Sequence, residues 1–288
     1  MENHVPVKPP FHRPSRLEAE YRNALHKLLD KYLDLPNYSD LGELSARLAE
    51  WGKARSFFHN APTILASNMI TQVLHQNAVS WRQAATISSK GRLIHHLLMN
   101  ELNSDLGKHV DKLIKRNSEL IVTLPQRVTY TISNYIHTQQ VAGVRSETIA
   151  KTLRAKFKNI RDYEIARLAR TEVAKSATAI TQVRAQNIGL NWYQWLTSED
   201  ARVRPSHRKM NLVLVNWNDP PAPELLVGMK SEGQYHAGEI YNCRCPGVPV
   251  VSLDEISFPA KIYQAGVIKR LTRNQFALLS GLTKQLAA

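Results

Sequence analysis

The chain has 288 residues, 43% hydrophobic and 22% charged, which fits one large or two modest globular domains with an ordinary core. Lysine and arginine outnumber aspartate and glutamate 38 to 24, and the formal charge of +14 favours a polyanionic partner. No stretch nears the ~18 uninterrupted apolar residues of a membrane span, and Met1 to Pro10 lacks an apolar signal core, so the chain is expected to stay in a cytoplasm without a membrane partner.

Residues 1–14 carry four prolines and little to bury, and are expected to be an extended arm, either solvated or laid on a partner. Ser15 and Glu18 have capping-box spacing, and Leu17, Tyr21, Leu25, Leu28, Leu29 and Tyr32 follow on one face of a helix that Pro36 should stop. A second helix near Ser39 carries Leu41, Leu44, Leu48 and Trp51. Apolar spacing from Ile64 to Trp81 and from Leu93 to Ile114 makes residues 15–117 a helical region. His95, His96, His109 and His137 fall within helical stretches without an acidic or cysteine partner at ligand spacing, and are read as ordinary structural histidines.

Val128, Ile132, Tyr135 and Ile136 predict a helix ending before Gly143, and Ser146 caps a short one carrying Ile149, Ala150, Leu153 and Phe157. A longer helix is expected from Asp162 to Asn187, with Gly189 beyond as its stop. Ile165, Leu168, Ala169, Ser176, Ala179, Ile180 and Val183 share one face of it, and Glu172 falls in the middle of that face. A carboxylate aimed at a core needs a counter-charge.

Trp192–Leu196 and Leu212–Trp217 read as short strands with a turn over Asp200–Pro205 between them, and Val248–Leu253 as a closing strand. Both cysteines stand in this part of the chain, in Asn242-Cys243-Arg244-Cys245. Separated by one residue, they would make a strained disulfide and are read as thiols in a reducing compartment. Residues 256–288 form a basic tail. From Pro259 onward it has five basic residues and no acidic ones, Lys261, Lys269, Arg270, Arg273 and Lys284, which are the candidate DNA contacts. Its loosely amphipathic pattern allows it to pack on the body or dock on DNA or a neighbouring subunit. The fold class expected is α+β, predominantly helical, with a small β-sheet near the C-terminus.

Asp200-x-Arg202-x-Arg204-x-x-His207, then a proline-containing loop and Asn242-Cys243-Arg244-Cys245, preceded by Ala169-Arg170-Thr171-Glu172 on a helix, resembles the phage Mu F-like family of head morphogenesis proteins. The resemblance spans roughly Asn117 to Val251, and makes residues 118–255 a core domain. Members usually place a glycine shortly after the histidine, where this chain has Met210-Asn211-Leu212. The resemblance implies a minor head protein of the virion, inside the capsid, assembled in the host cytoplasm, with the portal protein and other capsid proteins as partners. The charge adds non-specific duplex DNA.

Some relatives carry Cys-x-x-Cys at the positions of Arg204 and His207, which with Cys-x-Cys would complete four zinc ligands. Arginine cannot ligate, so here the set is His207, Cys243 and Cys245, with His236 having to swing in as the fourth. The favoured reading is two buried thiols, a hydrogen-bonded His207 and no cofactor. Glu172 is then expected to be buried and paired with Arg202, Arg204 or Arg244, with Arg244 the first choice. Two alternatives stay open: a metal-dependent hydrolase or nuclease using Asp200, His207, His236, Cys243 and Cys245, and a portal-binding adaptor without DNA affinity. Against the enzyme stands the absence of a paired acidic cluster, a His-Glu-x-x-His helix, a phosphate loop or a Gly-x-Ser-x-Gly turn.

Overall fold

The computed structural model describes residues 10–30, 41–52, 58, 60–87, 91–99 and 105–281. Among them the chain is mostly helix with one five-stranded sheet near its C-terminal end, the α+β class expected. No helix among the described residues is long and apolar enough to cross a membrane. The chain divides into two compact units, one built from residues 15–71 and 111–172, the other from 1–14, 72–110 and 173–288.

The first unit is helical. Helix α1 (Ser15–Asp30) buries Leu17, Tyr21, Leu25, Leu28 and Leu29, the stripe that its 3.6-residue period dictates. Tyr32, Pro36 and Ser39 lie outside the described residues. Helix α2 (Leu41–Gly52) buries Leu44, Leu48 and Trp51, and the Trp51 ring meets Phe157 at 5.7 Å. Helix α3 (Ala61–Ile87) starts in this unit; α4 (Gly91–Met99) belongs to the second, and α5 (Asp105–Val122) returns to the first for most of its length. Helix α6 (Leu124–Val141) opens with Pro125 in its first turn, where a missing N–H is harmless, and buries Val128, Ile132 and Ile136.

Helix α7 runs unbroken from Ser146 to Asn187, so the two helices expected there are one. Lys158, Asn159, Arg161 and Asp162 make this stretch polar around Ile160, but none is a proline or glycine, and polar residues alone do not end a helix. Ile165, Leu168, Ala169, Glu172, Ser176 and Ile180 are buried, while Ala179 and Val183 are half-buried.

The second unit is organised on the sheet, in the order β3-β1-β2-β4-β5. Strands β1 (Trp192–Trp195) and β2 (Val213–Asn216) are antiparallel, β3 (Gly247–Pro249) pairs with the free edge of β1, and β4 (Ala260–Gln264) runs parallel to β2. Alternation sorts the side chains by face. Tyr193, Trp195, Val213, Val215 and Tyr263 join Trp217, Met210, Tyr235 and the two cysteines on one side, together with Trp81 and Ile94. Trp192, Leu214, Ile262 and Val250 face the other side, closed by Phe276 of α9 (Arg273–Ser280), whose ring meets Trp192 edge-on at 5.2 Å.

Two readings of the chain ends change. Phe11, within the expected arm, is buried against Trp81 at 5.0 Å, so the arm carries one apolar anchor. The expected basic tail forms β4, β5 (Val267–Leu271) and α9, with a capping box at Thr272 and Gln275. Alternation at Ala260, Ile262 and Tyr263 puts apolar groups on both faces of β4, which blurs any single stripe in the sequence.

Gly247 sits where β3 crosses a stack of aromatic rings. A Cβ there would lie 2.9 Å from Tyr193 Cδ2 and 3.3 Å from a Trp217 ring carbon, and those two buried rings are stacked at 4.1 Å. Neither ring has room to move away. Gly247→Ala is therefore expected to lower stability by about 1–3 kcal/mol in chemical denaturation, the usual penalty of an overpacked core.

Candidate functional site

Two loops are clamped together in the second unit. Pro205 starts the short helix α8 (Pro205–Met210), a proline at the first helical turn as its fixed φ favours, and α8 buries Ser206, His207 and Met210. The sequence reading had only a turn here. The second loop reverses at Asn242, which takes the left-handed conformation at φ 56° that asparagine tolerates better than most residues, and delivers Cys243 and Cys245. Both are free and buried.

His207 Nδ1 lies 3.6 Å from Cys243 Sγ and 3.5 Å from Cys245 Sγ. Its other nitrogen, Nε2, is 3.2 Å from the Tyr235 hydroxyl, which donates a 2.5 Å hydrogen bond to Glu224; Ser206 Oγ donates to the same carboxylate oxygen at 3.2 Å. The phenol proton is committed to Glu224, so the phenol oxygen accepts from Nε2–H and Nδ1 presents its lone pair to the sulfurs. Trp195 packs edge-on against the imidazole at 5.3 Å. Burial and the neighbouring Glu224 push the Tyr235 hydroxyl well up, which keeps the phenol protonated. The thiols split. Cys243 is held well below its ordinary value by a hydrogen bond from Cys245, while the same bond and burial raise Cys245.

Arginines tie the loops from outside. Arg244 meets both oxygens of Asp200, at 2.6 Å for Nη2 to Oδ1, and the Arg202 backbone N–H donates to the same carboxylate at 2.9 Å. The Arg202 side chain is mostly exposed, 3.9 Å from Asp200. Arg204 donates to the Tyr241 carbonyl at 2.9 Å and lies 4.5 Å over the Tyr241 ring. A small pocket opens beside the cluster, bordered by Ser198, Arg202, Arg204 and Asn242.

His236 is elsewhere. Its Nδ1 is 3.2 Å from the Tyr193 hydroxyl and its ring packs on Trp217, so it does not complete the His207, Cys243 and Cys245 set. Burial lowers its pKa from the ordinary 6.5. The unfolded chain therefore takes up its proton first, and this residue contributes stability at neutral pH that fades as pH falls below that value. The loop bearing His236 is held by Thr178, which donates to the Ala237 carbonyl at 2.7 Å, and passes α7 so closely at Gly238 (φ 89°) that a Cβ would sit 2.6 Å from Thr178 Oγ1.

Glu172 is buried, but its partner differs from the one expected. Arg116 of α5 lies 3.0 and 3.1 Å from its two oxygens, and Arg244 is taken by Asp200. Asp200 and Arg244 come from the motifs themselves, and the nearer carboxylate satisfied the guanidinium. The candidate DNA residues do not form one patch. Lys261 and Arg270 are directly opposite across β4 and β5, Lys269 stands opposite Ile262 and so faces the other side, Arg273 is paired with Asp254, and Lys284 lies outside the described residues.

Tyr235, Glu224 and Arg116 escaped the sequence reading. Glu224 follows Pro220-Pro221-Ala222-Pro223 and reads as loop, and no spacing links a loop tyrosine to a histidine 28 residues away.

Residues 131–247 match the family model described as Phage Mu protein F like protein, which bears out the resemblance read from the motifs. That stretch, which carries α7, β1, α8, β2 and the cysteine turn, is what the chain shares with Mu F-like proteins. An uncharacterized protein of Haemophilus influenzae is 27% identical over 154 residues, covering 52% of this chain and 31% of the relative, so the chain spans about a third of the relative it matches. No solved structure matches.

Two outcomes follow from these ion pairs. Arg116→Gln is expected to lower stability by about 2–3 kcal/mol, because it removes a cation lying against a buried carboxylate, whereas Glu172→Gln leaves a half-exposed guanidinium that water can solvate and should cost about 1–2 kcal/mol. Denaturant titration of both variants checks the order. Asp200→Asn should loosen the cysteine turn and speed the reaction of its thiols with a maleimide. With the folded carboxyl well below its ordinary 3.8, the contribution of the Asp200 pair is complete above that value and lost as pH falls toward the depressed one.

Proposed function

We propose that this chain is a minor head protein of a phage, acting in head assembly close to the portal and lying against packaged DNA in the capsid interior. The Mu F-like stretch carries the reading. The +14 charge supports the DNA contact, since a protein enclosed with a densely packed polyanion is stabilised by neutralising phosphates. Contact of this kind reads the backbone and carries no sequence information. The Lys261 and Arg270 pair supplies a place for it on the sheet: like charges opposed across two strands repel unless a phosphate sits between them. Other capsid proteins and the portal are the protein partners, and the role is structural, with no chemistry performed on the DNA.

Deleting residues 259–288 is a poor test, because it would remove two strands and the helix that closes the sheet. The triple variant Lys261→Gln, Lys269→Gln, Arg270→Gln changes charge without removing backbone. The intact chain is expected to retard duplex DNA of any sequence, with affinity falling by orders of magnitude between about 50 and 200 mM salt. The triple variant should show a shallower salt slope. Plasmid incubated with the chain and divalent cations should remain uncut. No retardation at low salt would leave the assembly role without its DNA contact, and cleavage would replace it with the nuclease reading.

A further inference from the structure

We propose that His207, Cys243 and Cys245 bind one zinc ion through His207 Nδ1 and the two sulfurs, with a solvent molecule from the adjoining pocket in the fourth position. This does not rest on the head-protein reading, and either can fail alone. It departs from the expectation of plain buried thiols, and three observations carry it.

The first is distance. Zinc holds sulfur at about 2.3 Å and imidazole nitrogen at about 2.0 Å, and at a tetrahedral angle these lengths place nitrogen and sulfur roughly 3.5 Å apart. The two separations here are 3.5 and 3.6 Å, and all three ligand atoms lie within 4.8 Å of one another. The two nitrogen–sulfur edges of such a tetrahedron are in place.

The second is direction. An imidazole nitrogen has one lone pair and accepts one hydrogen bond along it, yet two sulfurs stand at nearly equal distance from Nδ1. A cation between them uses the lone pair and both sulfurs at once. The backbone N–H of Cys245 reaches Cys243 Sγ at 3.5 Å, a contact suited to a thiolate.

The third is support behind the ligand. Metal-binding histidines commonly donate their remote N–H to an oxygen that fixes the ring and its tautomer. Here Nε2 meets Tyr235, Tyr235 donates to Glu224, and Ser206 donates to Glu224 as well. All four residues are buried, and the chain of bonds leaves Nδ1 bare toward the sulfurs. Tyr235 is thus a positioning residue. The donor set of two thiolates and an imidazole suits zinc over magnesium or calcium, which take oxygen. Each thiol gives up its proton to the buffer as the ion binds. Among the described residues no other histidine, cysteine, aspartate or glutamate joins the group, so the fourth position falls to the pocket bordered by Ser198 and Asn242.

The test uses the full chain, purified without chelator, for metal content, and then stripped and titrated with cobalt(II), whose thiolate complexes have a charge-transfer band. The expected result is about one zinc per chain and one cobalt bound with that band. Cys243→Ser should lose both, and His236→Ala should keep both. Tyr235→Phe, with its fold checked by circular dichroism, should keep the stoichiometry but bind about 10–100-fold more weakly. A folded wild-type chain without zinc that also gives no thiolate band with cobalt overturns the site. Undiminished affinity in Tyr235→Phe overturns the relay, and loss of metal in a folded His236→Ala overturns the ligand set.

Discussion

The sheet-bearing unit depends on one buried imidazole. His207 has two sulfurs on one nitrogen and a phenol backed by a carboxylate on the other, and these groups arrive from α8, from the cysteine turn and from the long loop after β2. A buried polar ring without partners would cost several kcal/mol, so all three segments must be in place together. That requirement explains why a loop rich in proline and polar residues is well packed: Tyr235, Ala237 and Ile240 belong to the same core as Trp195 and Met210. The outer arginine bonds, Arg244 to Asp200 and Arg204 to Tyr241, then lock the two loops against one another at the surface.

What could be read from sequence was periodic. The apolar stripes of α1, α2 and α6 appear in the structure for most of their residues, with Leu41 and Tyr135 half-buried at their margins, because one buried face is all that their packing requires. Strands β1 and β2 were visible through their tryptophans and β-branched residues. Strands β4 and β5 were not, since a strand covered on both faces loses its alternation and an edge strand dotted with Lys269 and Arg270 looks like a solvated tail. The split of α7 is not borne out for a related reason: a polar stretch around Ile160 thins the stripe, but it holds no proline or glycine and gives the backbone no cause to stop.

The site was half legible. The two motifs pointed to the right loops, because cysteine, histidine and closely spaced arginines are uncommon neighbours. Which carboxylate each arginine would take was not legible. Glu172 and Asp200 are equally good acceptors by chemistry, and only proximity assigns Arg116 to the first and Arg244 to the second. His236 shows the same limit. Its chemistry suits a ligand, but its position against Tyr193 and Trp217 makes it a neutral member of an aromatic stack.

The hydrogen-bond chain from Glu224 through Tyr235 fixes His207 with its Nδ1 lone pair toward the two sulfurs. Nitrogen NMR of the histidine rings, assigned with a His207→Gln variant, reads this directly. The expected result is a proton on Nε2 of His207 and none on Nδ1. A proton on Nδ1, with Nε2 bare toward Tyr235, would contradict it.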